Sequence, residues 1–271
     1  MNQGPKQNRP SYASSLIAGG IAGTTVDVIL FPLDTIKTRL QSKSGFIKSG
    51  GFKNIYSGLS SAILGSAPSA SLFFLTYESM KSIFNQHTHW NHMVAASVGE
   101  MMACIVRVPT DCVKQRMQVG MFNSLVEAGK DVLRKDGVLG FYRGYGMTIF
   151  REIPFASIQF PLYEQLKKLV YNSKHRKANG FESSICGMVA GGTAAALTTP
   201  LDVVRTRIML SSKSGGAVSI SGICSDIYKQ GGFKLFLSGI GPRVMWISIG
   251  GSIFLGVYES AREILSNETL F

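Results

Sequence analysis

The sequence predicts an all-α membrane protein with six transmembrane helices in three pseudo-symmetric two-helix repeats. A motif that recurs three times, six apolar segments of similar length and a composition poor in charge point to it. Of 271 residues, 45% are hydrophobic and 16% charged, where soluble domains carry about a quarter charged residues. The 30 glycines suit close helix packing in lipid.

The apolar segments are 13–36, 58–79, 91–113, 146–167, 181–203 and 239–260, each near the ~20 residues a helix needs to span a bilayer. The first ends in FPLDTIKTRLQ, residues 31–41. Proline removes a backbone donor and kinks a helix, and a charge in apolar surroundings is costly unless paired. The combination of Pro32, Asp34 and Lys37 nevertheless returns as Pro109, Asp111 and Lys114, and again as Pro200, Asp202 and Arg205. A glycine and aromatic cluster follows each copy: GGFKNIYSG at 50–58, DGVLGFYRG at 136–144 and GGFKLFLSG at 231–239. Each unit closes on an aromatic, an acid and a base: Tyr77, Glu78 and Lys81; Tyr163, Glu164 and Lys167; Tyr258, Glu259 and Arg262. Repetition in one order divides the chain into a tail, 1–12, and repeats 13–84, 91–170 and 180–265.

Connections after the first, third and fifth segments are long and include the amphipathic stretch 123–135, while those after the second and fourth are short. Both termini therefore lie on the short-loop side. The stretches 37–57, 114–145 and 205–238 hold 16 of the 28 lysines and arginines, an excess of the positive-inside kind, although 167–177 adds five on the opposite side.

The net charge of +12 is spread along the chain, which disfavours a nucleic-acid patch. Cys104, Cys112, Cys186 and Cys224 have no disulfide-like spacing and read as free thiols. The N-terminus lacks a signal peptide's apolar core and an Arg-rich amphipathic helix, so an organellar address would be internal. HTHWNH at 87–92 reads as an interfacial loop rather than a zinc site. GGIAG lacks the Lys-Ser/Thr of a phosphate loop, and no nucleophile–base pair stands out. No enzyme and no cofactor is expected.

On the tripled Px[DE]xx[KR]x[KR] motif the chain resembles the mitochondrial carrier family, over about 13–265. The resemblance implies an inner-membrane barrel of six helices, with one mid-membrane substrate site and alternating access. The long-loop side would face the matrix and both termini the intermembrane space. It further implies a monomer, with cardiolipin as lipid partner. In such carriers the motif charges form a matrix gate, which here would pair Asp34 with Lys114, Asp111 with Arg205 and Asp202 with Lys37. Gln41 and Gln118 would brace two pairs, while the third brace position holds Met209. The opposite, cytoplasmic gate would set Glu78, Glu164 and Glu259 against Lys167, Arg262 and Lys81, braced by Tyr77, Tyr163 and Tyr258. Two ion-pair layers that cannot both be formed make a two-state switch. Asp34 and Lys37 could instead pair along one helix surface, but the recurring proline weighs against that.

Residues that break the three-fold pattern should describe the cargo. Asp27, Glu100, Arg107, Arg151 and Glu152 lie in apolar segments outside both gates, and each ionisable group near a bilayer centre costs about 2.5–3.5 kcal/mol on insertion scales. They should face water or each other. Glu100 replaces a small residue at a helix-packing position, which suggests a ligand role or a pair with Arg107. The family's substrate contact, thirteen residues before the acid of the second closing motif, falls on Arg151, followed by Glu152. Such a pair resembles carriers of amino-acid-like substrates, the arginine forking onto a carboxylate and the acid taking the ammonium. Three acids and two arginines leave a net −1, matching an amino-acid head with one more fixed positive charge. S-adenosylmethionine has that chemistry, and the resemblance implies exchange for S-adenosylhomocysteine. Asp27 and Glu100 would face its sulfonium and ribose, and Trp246 or Phe155 would stack on its adenine. The alternatives are a carrier for arginine, ornithine or lysine, which needs no ring slot, and a leak channel, which intact gate charges argue against.

Overall fold

The structure is a computed structural model that describes residues 12–83, 89–176, 179–211, 219–251 and 253, with side chains described from residue 23 onward except those of residues 89, 90, 92 and 93. Five long helices are α1 (Tyr12–Gln41), α3 (Leu59–Ile83), α4 (His89–Gln118), α6 (Tyr145–Lys174) and α7 (Gly180–Leu210). Shorter ones are α2 (Gly45–Lys48), α5 (Leu125–Asp136), a 3-10 turn (Val138–Tyr142) and α8 (Ile220–Leu235). A last helix, α9, covers 240–251 of the described residues. Tyr258, Glu259 and Arg262 lie outside them.

The helices run past their prolines. α1 contains Pro32, α4 Pro109 and α7 Pro200, so the motif sits inside a helix and not at its end. Each proline costs one intrahelical hydrogen bond and bends the axis. The last turns of α1, α4 and α7 touch in all three pairs. The apolar segments predict the N-terminal ends of the long helices to within two residues, but the C-terminal ends lie further on, because polar turns after the motif stay helical.

Packing closes a ring. α3 lies along α4 and α6 along α7, while α1 meets α3 and α4 meets α6. α7 reaches α9, where the Ser248 hydroxyl donates to the Met188 carbonyl at 3.2 Å. α9 returns to α1: a methyl group on Gly250 would sit 3.3 Å from Leu30 Cδ1. Three glycines at equivalent places, Gly58, Gly144 and Gly239, start the second helix of each repeat with φ of +90°, +82° and +75°, which only glycine adopts freely. Each also abuts a motif helix, so that a Cβ would come 2.9 Å from the Lys114 carbonyl, 3.1 Å from Met209 Cγ and 3.3 Å from the Lys37 carbonyl, respectively.

Polarity is distributed inside out. Ile29, Leu64, Phe74, Phe150, Phe160 and Leu197 are exposed, whereas Thr35, Arg39, Gln41, Gln118, Asp202 and Arg205 are buried. A polar interior within an apolar exterior suits lipid as the surrounding solvent. By length and apolarity alone only α3 and α7 qualify as membrane-crossing among the described residues. α1, α4 and α6 carry interior charges such as Asp27, Glu100, Arg107, Arg151 and Glu152. The stretch 123–135 forms α5 as its amphipathic pattern predicts, with Ala128 and Val132 buried. His89, Trp90, Asn91 and His92 open α4 and so are helical, which corrects the loop expected for HTHWNH. The four cysteines are free.

Candidate functional site

The motif carboxylates and cations meet where α1, α4 and α7 converge. Lys37 Nζ lies 2.7 Å from Asp202 Oδ2, Lys114 Nζ 3.0 Å from Asp34 Oδ2, and Arg205 Nη2 2.6 Å from Asp111 Oδ2. All three pairs join different repeats. The helix turn explains this: Asp34 and Lys37 share one inward face, and the converging helices present acids and bases of neighbours to each other. Among the described motif charges, Asp111 and Lys114 also approach along one helix, at 3.6 Å.

Gln41 Nε2 donates to Asp202 at 3.1 Å and Gln118 Nε2 to Asp34 at 2.9 Å. At the third position Met209 is wholly buried against Cys104 and Val108. There Thr148 of α6 takes up the slack, accepting from Arg205 Nε at 2.7 Å. Below this layer the second base of each motif reaches the other neighbour. Arg39 Nε donates to the Gln118 carbonyl at 2.7 Å, Arg116 to the Ser211 carbonyl at 3.2 Å and Arg207 Nε to the Gln41 carbonyl at 2.6 Å. Asp136, from the cluster at 136–144, pairs with Arg116 at 3.4 Å and Arg143 at 2.8 Å. The first and third repeats lack that acid. Arg39 instead donates to the carbonyls of Gly51, Lys53 and Asn54, and Arg207 to Gln230.

The opposite end differs from expectation. Lys81 pairs with Glu78 at 3.7 Å and Lys167 with Glu164 at 3.6 Å, each within its own helix and largely exposed. Glu78 and Lys167 are therefore not partners in this structure, and the predicted pairs of Glu164 with Arg262 and of Glu259 with Lys81 involve residues outside the described set. Residues three apart face each other along a helix, so each acid takes the base one turn away on its own helix. Lys167 also sits 5.0 Å above the Tyr163 ring.

Between the two ends lie the charges that do not repeat. Glu100 and Arg107 form an ion pair on α4, and Arg151 and Glu152 another on α6. Asp27 is partly buried, in the field of Lys114, Asp34, Asp111 and Arg107, and makes no ion pair among the described residues. Phe155 and Trp246 are partly buried on α6 and α9. One residue escaped sequence reasoning. Arg243 of α9 is 2% exposed, donates to Thr198 Oγ1 at 2.8 Å and approaches Asp202 to 3.9 Å. Counting Arg243, the unrepeated charges are three acids and three arginines, not a net −1. Superposing the repeats in sequence would have found it, since YRG at 142–144 and LSG at 237–239 set Arg243 opposite the neutral Thr148.

Six helices ringed about a charged interior, closed at one end by ion pairs between three repeats, define a multi-spanning membrane protein of three-fold pseudosymmetry. The sequence profile described as mitochondrial carrier protein matches residues 8–49, 44–88, 85–174 and 176–269. The chain belongs to the mitochondrial carrier family. It is 48% identical to the mitochondrial S-adenosylmethionine carrier protein of Mus musculus over 264 residues, 94% of this chain and 96% of the relative. It is likewise 48% identical to that of Danio rerio, covering 95% of this chain and 99% of the relative. The S-adenosylmethionine mitochondrial carrier protein homolog of Drosophila melanogaster is 45% identical over 95% of both chains.

Proposed function

We propose that the protein carries S-adenosylmethionine across the mitochondrial inner membrane, in exchange for S-adenosylhomocysteine, by alternating access between two salt-bridge gates. Family membership and the names of relatives nearly half identical along the whole chain support the cargo and the compartment. The single observation that carries the mechanism is one-sidedness. Three ion pairs between repeats hold the proline end, while Glu78 and Glu164 pair only within their own helices.

In this reading Asp34, Lys37, Asp111, Lys114, Asp202 and Arg205, braced by Gln41 and Gln118, form the matrix gate. Tyr77, Glu78, Lys81, Tyr163, Glu164, Lys167, Tyr258, Glu259 and Arg262 form the cytoplasmic one. Cargo entering from the intermembrane space would meet Asp27, Glu100, Arg107, Arg151 and Glu152, with Phe155 and Trp246 as ring partners. A ligand drives such a switch only through its differential affinity for the two states, so binding must be tightest as the gates change over. Repeats 13–84, 91–170 and 180–265 would act as three units of a monomer, with both termini toward the intermembrane space and cardiolipin at the lipid-facing surface.

The test is uptake of labelled S-adenosylmethionine into liposomes holding the purified protein, with and without internal S-adenosylhomocysteine. Saturable uptake that needs the internal partner supports exchange of this cargo. Absence of uptake, with thermal stabilisation by arginine, ornithine or lysine, would move the cargo to a basic amino acid.

A further inference from the structure

Asp202 stands among more cations than it can hold. Its Oδ2 takes Lys37 at 2.7 Å and Gln41 at 3.1 Å. Arg151 Nε stops 3.9 Å from its Oδ1 and Arg243 Nε 3.9 Å from its Oδ2, beyond direct hydrogen bonding. Among the described residues, Arg151 Nε, Arg243 Nη1 and Asp202 Oδ1 are buried with no hydrogen-bond partner. A buried guanidinium N–H left unmade is costly. A planar anion between two guanidinium forks is the acceptor such groups match best.

The charges are also sorted across the path. Cations gather where α6 and α9 face Asp202, as Arg151 and Arg243. On α1 and α4, Asp27 makes no ion pair among the described residues and Glu100 meets Arg107 and, at 3.9 Å, the Cys104 thiol; with Arg107 counted on α4 and Glu152 on α6, the two sides carry a net −1 and a net +1. A zwitterion that carries a further cation at a distance from its carboxylate fits that polarity in one orientation.

We infer that Arg243 and Arg151 form a two-armed seat for the cargo's carboxylate, immediately beside the Lys37–Asp202 pair, which points the sulfonium end toward Asp27 and Glu100. This assignment rests on the cargo proposed above. Glu152, next to Arg151 along α6, takes the ammonium on the same carbon as the carboxylate. Filling the seat and balancing Asp202 draw on the same two arginines, so the cargo's head group and the adjoining gate pair share one set of charges.

The experiment compares uptake of S-adenosylmethionine with that of its decarboxylated analogue, which keeps the adenosyl sulfonium and the amine but lacks the carboxylate. Full-length wild type, Arg243→Gln and Arg243→Lys are measured in liposomes. A forked, charge-assisted contact predicts a wild-type preference for the carboxylated cargo of about tenfold or more in kcat/KM. Arg243→Gln should shrink that preference to about threefold or less, chiefly through the KM for S-adenosylmethionine, with Arg243→Lys in between. A residue that only braced Thr198 would slow both compounds alike and leave the ratio as it was, which overturns the inference. If Arg243→Gln shows no thermal unfolding transition, Arg243→Lys decides on the same criterion. Wild type that takes up both compounds equally overturns the seat alone. Wild type that takes up neither overturns the cargo, and the seat with it.

Discussion

Lys37 of the first repeat and Asp202 of the third lie 2.7 Å apart, with the carboxylate wholly buried. Asp202 also accepts from Gln41 and has Arg151 and Arg243 within 3.9 Å, whereas Asp34 is 21% exposed and pairs with Lys114. Removing one partner of a buried pair costs about 3–5 kcal/mol because the other charge is stranded. Asp202→Asn strands several cations and should lower the stability of the purified carrier by that order, seen as a fall in its thermal midpoint. Asp34→Asn should cost about half as much or less. Equal shifts in a thermal-unfolding series would show that these two pairs are equivalent despite their different surroundings.

Glu152→Gln keeps the shape of its side chain and removes its charge. It should cut uptake of a cationic amino-acid cargo about 100-fold or more, the scale of a lost charged contact of about 3 kcal/mol. Stability should change little, since the residue is only partly buried beside Arg151. Initial-rate uptake and a thermal scan on the same preparation check both halves. Unchanged uptake would remove Glu152 from the site.

Met209→Gln completes the set of glutamines around the ring. By the three-fold pattern its amide falls toward Asp111, as Gln41 does toward Asp202 and Gln118 toward Asp34. The added hydrogen bond to a charge offsets the loss of packing on Cys104 and Val108, leaving stability within about 1 kcal/mol. The proline-end ring is held more firmly, so exchange should slow about tenfold for each 1.4 kcal/mol gained by the closed end, at similar KM. A faster maximal rate would mean that the third pair is not braced in this way.

Gly239 and Gly241 make a matched test of backbone geometry. Gly239 has φ +75° and would place a Cβ 3.3 Å from the Lys37 carbonyl, while around Gly241 nothing lies within 4 Å. Gly239→Ala should destabilise by about 1–2 kcal/mol from its left-handed backbone, with any crowding against α1 in addition. Gly241→Ala should be neutral or gain a few tenths of a kcal/mol. Chemical unfolding midpoints in detergent distinguish the two, and a Gly239→Ala protein as stable as wild type would contradict the left-handed backbone at Gly239.

What the sequence made legible is whatever repeats. Pro32, Pro109 and Pro200 mark the three sets of acids and bases, and the family resemblance that their motif carries supplied which of them pair between repeats. Gln41 and Gln118 follow from the same register. Arg243 escaped because it occurs once, and because a residue four positions into α9 carries no periodic signal of its own. The partners of Glu78 and Glu164 escaped because each acid has a base one turn away on its own helix as well as candidates in a neighbouring repeat, and the sequence does not rank the two. The helices' C-terminal reach escaped for a third reason: apolar runs stop where polar turns begin, yet Arg39 and Gln41 remain helical with the neighbouring repeats satisfying them.

The two tiers at the proline end run in opposite senses around the axis. Lys37, Lys114 and Arg205 reach from the first repeat to the third, the second to the first and the third to the second. Arg39, Arg116 and Arg207 reach from the first to the second, the second to the third and the third to the first. A repeat that swivels either way strains one tier or the other, so no single repeat can leave the ring by itself. As the proposed matrix gate, this end would open all at once: weakening one contact should soften the whole iris, and half-open forms should be scarce at any cargo concentration.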